Sequence, residues 1–257
     1  MFRPNEMKRK LRSGEKVLGC WTTLGSPQIA ELLAMTGFDF LLFDQEHGLG
    51  DSTSLVGLLQ AIAPTSTSSV VRIPSNDPIY LKRVLDAGVE GVMIPQVETA
   101  DEARAAVEAC RYPPRGRRGS SIGSCRASNY GIAATDYRRM ADDELLVIAQ
   151  IESVRAVDNI EAIAAVDGID VLFIGPHDLS GTLGHLGDLK QPDVAAAIAR
   201  AEQAILRSGK PMGTVPHPGV PWRDMFKRGY RMINAGSDVS RLRDSALADV
   251  KAFRSGA

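Results

Sequence analysis

The chain has 257 residues, 44% of them hydrophobic, which suits one large core and a single α/β barrel domain over residues 1–257. Its 30 Lys plus Arg nearly balance 31 Asp plus Glu, so no overall field would draw it to nucleic acid or a membrane, and small-molecule chemistry is favoured. Three cysteines (Cys20, Cys110, Cys125) without metal-type spacing, a charged start lacking an apolar signal core and no run of membrane-span length predict a cytoplasmic protein.

From residue 16 onward, short apolar or β-branched runs alternate with longer amphipathic segments, the pattern of parallel strands and crossover helices. In chain order the strands are KVLGCW, FDFLLFD, SSVVRI, GVMIPQV, LLVIAQIE, DVLFIG, PMGTVP and RMINAG. Helices are predicted around 27–37, 52–62, 78–87, 100–110, 154–165, 192–208, 219–229 and 239–254. Eight of each is the count of a (β/α)8 TIM barrel. Ser26-Pro27 and Asp77-Pro78 place a capping side chain before a first-turn proline, and Thr99 with Glu102 forms a capping box. Residues 111–143, dense in Gly, Ser and Arg, exceed an ordinary connection; such a loop is more often functional or interfacial than idle.

In a closed parallel barrel, chemistry sits at the carboxyl ends of the strands. Trp21 ends the first strand, Asp44 to His47 the second, Arg72 the third, Gln96 the fourth, Gln150 and Glu152 the fifth, and Pro176 to Asp178 the sixth. Glu152 and Asp178 could converge beneath the loops, where two like charges are best stabilised by a divalent cation; two oxygen ligands suit Mg²⁺ or Mn²⁺ better than a closed zinc site. An ordinary salt bridge of Glu152 with Arg72 is the alternative. His47, beside Asp44 and Glu46, has the setting of a tuned acid or base, or else of a helix cap or core residue. Arg72 ends an otherwise β-branched strand and needs an anion, either a substrate oxygen gaining charge or a structural partner. Gly175 and Pro176 before Asp178 allow close approach of backbone amides to a ligand. His177, His185 and His217 lie on loops and read as solvated residues, Trp21 as a wall of the site and Trp222 as helix packing. No P-loop or Rossmann fingerprint is present, and neither nucleotide nor PLP is expected.

Taken together, DQEHG at 44–48, VRIPSNDP at 71–78, LDAGVEGVMIPQVETADEA at 85–103, RYPPRGRRG at 111–119, AQIES at 149–153 and FIGPHDLS at 173–180 resemble, in order and spacing, the HpcH/HpaI aldolase family. These are metal-dependent pyruvate aldolases, including hydroxy-oxo-heptanedioate and ketodeoxyglucarate aldolases. The resemblance implies a barrel whose last helix swaps with a neighbour, usually in a homo-hexamer. It implies Glu152 and Asp178 as ligands of Mg²⁺ or Mn²⁺, with Co²⁺ as a further option, His47 as acid/base and Arg72 as the group that stabilises an enolate. Gln150 and the backbone around His177 and Asp178 would hold the keto acid. Asp86 matches an acid that raises the basicity of the histidine, and Asp44 competes for that role. His177 and Gln45 stand at places that vary among relatives.

The implied activity is a class II aldolase that reversibly cleaves a 4-hydroxy-2-oxo acid to pyruvate, or a related 2-oxo acid such as hydroxypyruvate, and an aldehyde. None of the eight lysines falls at a predicted strand carboxyl end, which disfavours a Schiff-base mechanism. The rivals are a related lyase acting on an acyl-CoA or decarboxylating a 2-oxo acid, and a non-catalytic barrel that binds a keto acid.

Overall fold

In the computed structural model, which describes residues 2–217 and 219–256, eight parallel strands close in sequential order into a barrel. They are β1 (Val17–Thr22), β2 (Phe40–Asp44), β3 (Ser68–Arg72), β4 (Gly91–Ile94), β5 (Leu146–Ile151), β6 (Val171–Ile174), β7 (Met212–Thr214) and β8 (Met232–Ser237). Around them run α1 (Glu6–Arg12), α2 (Pro27–Met35), α3 (Ser54–Ile62), α4 (Pro78–Ala87), α5 (Ala100–Cys110), α6 (Ala134–Glu144), α7 (Val154–Asp158), α8 (Ile160–Ala164), α9 (Pro176–Thr182), α10 (Pro192–Ser208), α11 (Trp222–Lys227) and α12 (Asp238–Arg254). The α/β barrel expectation holds. Ser26, Asp77 and the Thr99–Glu102 box cap their helices as the side-chain pattern predicts. Among the described residues no helix is long and apolar enough to cross a membrane.

Side chains alternate along each strand. Phe40, Leu42, Val70, Met93, Ile148, Phe173 and Met232 fill the barrel interior, while Leu41, Phe43, Val71, Val92, Val147 and Leu172 pack outward under the helices. Two glycines make room for the interior rings: a Cβ at Gly19 would lie 2.4 Å from Phe40, and one at Gly213 would lie 2.6 Å from Phe173. The interior is therefore a packed core that closes the barrel beneath a site at the strand tips.

Three differences from the sequence expectation have physical causes. The charged start forms α1, whose Met7 and Leu11 plug the end where the strands begin. Lys8 is buried there and satisfied by Asp170 at 2.8 Å and by the Leu145 carbonyl. The helix expected over 154–165 breaks into α7 and α8 at Asn159, whose amide donates to the Glu98 carbonyl at 2.9 Å. Residues 111–143 are no idle loop but neither do they join the strand tips. They connect the end of α5 to the start of β5, at the opposite end of the barrel, and build their own small core from Tyr112, Ile122, Cys125 and Tyr137.

Candidate active site

β2 and β3 pair in a register that sets Asp44 directly beside Arg72. Both point into the barrel one step above the apolar layer, where a buried carboxylate and a buried guanidinium are stable only together. Arg72 Nε and Nη2 donate to the two Asp44 oxygens at 3.0 and 2.7 Å. Trp21 Nε1 donates to Asp44 at 3.0 Å, and the Trp21 ring lies under the guanidinium, 4.5 Å from its carbon. The backbone N–H groups of Glu46 and His47 close the turn onto the same carboxylate at 3.1 and 3.3 Å. Burial alone would raise the Asp44 carboxyl, but the Arg72, Trp21 and His47 contacts outweigh it and hold the group below the usual carboxylate range. Asp44 is thus the anchor of Arg72 and of the turn; its side chain does not meet the imidazole.

The turn carries Glu46 and His47 to the mouth. Arg72 Nη1 lies 2.9 Å from Glu46 Oε2, an ion pair outside hydrogen-bond geometry that leaves this oxygen without a donor. His47 is exposed, with Nε2 3.9 Å from the same oxygen. Gln45 turns away, bonded to the Asp51 carbonyl at 2.7 Å and to the Tyr80 hydroxyl at 3.0 Å. Gln45 thus braces the loop rather than the cleft.

Across the barrel, Glu152 follows β5 and is buried. One oxygen accepts the Gln96 backbone N–H at 2.7 Å and the other accepts from Gln150 Nε2. The Gln96 bond needs a left-handed backbone, φ 52°, which a non-glycine residue adopts at some cost. Burial pushes the Glu152 carboxyl up to about 7, with Asp178 and Glu46 adding repulsion against the Gln96 bond and a weaker contribution from Arg72. Glu46 is also raised, first by burial. Asp178 lies in the first turn of α9, exposed to the cleft. Asp178 and Glu46 thus both repel the Glu152 charge, and the salt bridge of Glu152 with Arg72 does not form, because Arg72 is engaged by Asp44 and Glu46.

A cleft of about 890 Å³ is lined by Trp21, His47, Arg72, Gln150, Gly175, Pro176, His177 and Asp178 on one side, and by Val215, His217, Asn234 and Ser237 on the other, with Glu152 buried just behind the Gly175 wall. Gly175 lets the wall approach: a Cβ there would lie 2.8 Å from Glu152 Oε2 and 3.0 Å from Gln150 Nε2. Asp86 is not brought to this site within the chain. It ends α4 at the far end of the barrel and pairs with Arg118 at 2.7 Å, itself held over the Tyr112 and Tyr137 rings.

Of the loop histidines, His177 is exposed in the cleft and His185 lies 3.2 Å from Asp193, but His217 is not solvated. It is buried against Tyr230 with Nε2 unpartnered, and burial lowers its basicity. Pro218, beside it in the PHPGVPW segment, lies outside the described residues. Trp222 packs edge-on against Phe226 as expected. The Gln96 amide, Glu46 as a third carboxylate, His217 and Asn234 were not singled out as site residues. For Asn234 the signal was present, since RMINAG puts it in the inward phase of its strand, two residues after Met232.

Comparison with known proteins accords with this geometry. The model of the HpcH/HpaI aldolase/citrate lyase family matches residues 17–245. The chain is 43% identical over 250 residues to the hydroxypyruvate/pyruvate aldolase of Delftia acidovorans, covering 97% of this chain and 93% of that one. It is 40% identical over 248 residues to the 5-keto-4-deoxy-D-glucarate aldolase of Salmonella newport, covering 96% of each. Among solved structures, an HpcH/HpaI aldolase/citrate lyase family protein from Burkholderia cenocepacia superposes with a TM-score of 0.93 at 40% identity, over 97% of this chain and 99% of that one. With a family match across nearly its whole length, relatives of 40–43% identity and the same closed barrel, the chain belongs to the HpcH/HpaI aldolase/citrate lyase family.

Proposed function

We propose that this chain is a divalent-metal-dependent aldolase that reversibly cleaves a 4-hydroxy-2-oxo acid to pyruvate, or a related 2-oxo acid, and an aldehyde. The observation that carries this reading is a guanidinium, Arg72, fixed by Asp44 at the cleft, together with a buried carboxylate, Glu152, on which the repulsion of Asp178 and Glu46 outweighs the attraction of Arg72.

Among the described residues no three His, Cys, Asp or Glu side chains gather into a complete metal cage. Glu152 and Asp178 would supply two hard oxygen ligands and leave the remaining positions to water and substrate, an arrangement suited to Mg²⁺ or Mn²⁺. The fit is supported by the mutual repulsion of Glu152, Asp178 and Glu46, which a cation would relieve, and by the close wall that Gly175 permits. When bound, such an ion supplies Lewis-acid polarisation of the keto oxygen.

The chain's own groups perform the rest. Arg72 cannot turn away from the cleft, because Asp44 holds it from behind, so its charge meets the oxygen that becomes negative as the C3 proton leaves. Gln150 and the backbone amides that open α9 orient the carboxylate of the keto acid. His47, free at the mouth, removes the proton of the C4 hydroxyl during cleavage, and a proton returns from it, directly or through solvent, to C3 of the enolate to give the 2-oxo acid; addition runs the same two transfers in reverse, so His47 ends each turnover as it began. Trp21 and Phe173 wall the cleft and exclude water.

The reading includes a cytoplasmic homo-oligomer. Three free, buried cysteines support a reducing compartment, and the exposed Leu242, Leu247 and Phe253 along α12 favour cover by a second copy. The test of activity is methyl exchange of pyruvate in deuterated water, followed by NMR with chelator-stripped protein. Exchange restored by Mg²⁺ or Mn²⁺ is expected; full exchange with chelator present would refute the metal-dependent mechanism.

A further inference from the structure

The geometry points to Asn234 as the residue that selects between 2-oxo acid donors, by hydrogen bonding a hydroxyl on the donor's C3 carbon. This inference rests on the aldolase reading above. Asn234 is fully buried, yet neither its amide nitrogen nor its amide oxygen has a partner. Buried amides of native proteins nearly always find partners, so two free atoms on one side chain facing a cleft mark a place where a ligand or water completes the set.

The depth of Asn234 in the barrel identifies which part of a substrate it meets. One inward step above the apolar layer, Val70 is followed by Arg72, Ile148 by Gln150 and Met232 by Asn234. Asn234 therefore lies at the floor of the cleft that Arg72 and Gln150 line, below the mouth where His177 and Asp178 lie and where an aldehyde would enter. It also stands across the barrel from the set formed by Arg72 on β3 and the two acids. β8 closes the barrel between β7 and β1, whereas Glu152 and Asp178 follow β5 and β6. A 2-oxo acid whose carboxylate and keto oxygens turn toward Arg72 and those acids presents its C3 substituent to β8.

The residues on the two adjacent strands offer Asn234 no competing polar side chain. Its register partner on β1 is Gly19, and Thr214 on β7 spends its hydroxyl on the Ile174 carbonyl at 3.0 Å. Val215 and Phe173 make the surrounding wall apolar. A hydroxyl both donates and accepts, which matches the free Nδ2–H and Oδ1 of an amide; a methyl group satisfies neither. A buried site built to bond a hydroxyl rejects the analogue that lacks it far more strongly than an apolar pocket rejects an extra group.

The test compares C3 proton exchange of hydroxypyruvate and of pyruvate in deuterated water, in the native chain and in Asn234→Ala, each with the same divalent metal. The C3 proton leaves and a deuteron from solvent returns, with no acceptor aldehyde needed and no net oxidation. The ratio of kcat/KM for hydroxypyruvate to that for pyruvate is expected to fall at least about tenfold in the variant. Asn234→Ser, smaller but still able to donate and accept, should recover part of the ratio, and it provides the same comparison if the alanine variant does not fold. An unchanged ratio, whether both rates fall together or neither moves, assigns Asn234 to a structural water and overturns the inference alone. A native chain that exchanges neither donor overturns the aldolase reading and this inference with it.

Discussion

Replacing Glu152 with Gln should stabilise the metal-free protein at alkaline pH while abolishing its response to metal. Both effects follow from one carboxylate. In the fold, burial, Asp178 and Glu46 raise Glu152 from the ordinary 4.5 to about 7. Below pH 4.5 the group is protonated in the folded and unfolded chains alike and contributes nothing. Between 4.5 and 7 the unfolded chain ionises while the folded chain retains its proton, so folding weakens as pH rises. Above 7 the full cost is present, about 3 kcal/mol for a shift of this size.

Glutamine has the same shape without the charge. Gln150, whose Oε1 is unpartnered, can flip its amide to receive the new N–H. With chelator present, Glu152→Gln should therefore unfold at higher urea than the native chain at pH 8, by up to about 3 kcal/mol, and by less than about 1 kcal/mol at pH 5. Added Mn²⁺ should reverse the order. The native chain gains stability by mass action, more at pH 8 than at pH 5 because the proton must leave Glu152, and the variant gains little. Equal gains at both pH values, or no gain at pH 8, would refute the electrostatic account of Glu152.

Arg72→Ala should leave the Asp44 carboxylate buried without its cation and cost about 3–5 kcal/mol in urea unfolding. Arg72→Lys, which keeps the charge but not the two-point grip on Asp44, should fold and yet lower pyruvate exchange about 10²–10³-fold; unchanged exchange would remove the guanidinium from the mechanism. His47→Asn should lower cleavage of a 4-hydroxy-2-oxo acid about 10²–10⁴-fold. Because the imidazole is 68% exposed, unfolding free energy should stay within about 0.5 kcal/mol, and a larger loss would mean that His47 supports the turn. Gln96→Gly should raise stability by up to about 1 kcal/mol by relieving the left-handed backbone, and Mn²⁺ affinity should hold since the bond to Glu152 comes from the main chain; weaker binding by calorimetry would give the Gln96 side chain a role of its own.

What sequence reasoning could and could not reach divides along a physical line. Short continuous apolar or β-branched runs place all eight strands, because residues that alternate between a barrel interior and a helical layer are apolar in both phases until the strand tip, where polarity appears abruptly. Arg72, Glu152 and Gln150 were legible for that reason: each is a polar side chain in the inward phase of an otherwise apolar run. Asn234 meets the same criterion, and only its lack of charge made it easy to pass over. Partnership was less legible than position. Asp44 could as well have served His47 as Arg72, and the choice depends on register between β2 and β3, which no local pattern encodes. Asp86 illustrates the converse limit. Its motif places it on a helix after a catalytic strand, but α4 carries it back down the barrel, so in a single chain its acid serves Arg118 and the 111–143 segment instead. The left-handed turn at Gln96 was the least accessible feature, because its function lies in a backbone N–H that every residue except proline possesses, and only the tertiary position of Glu152 makes that donor matter.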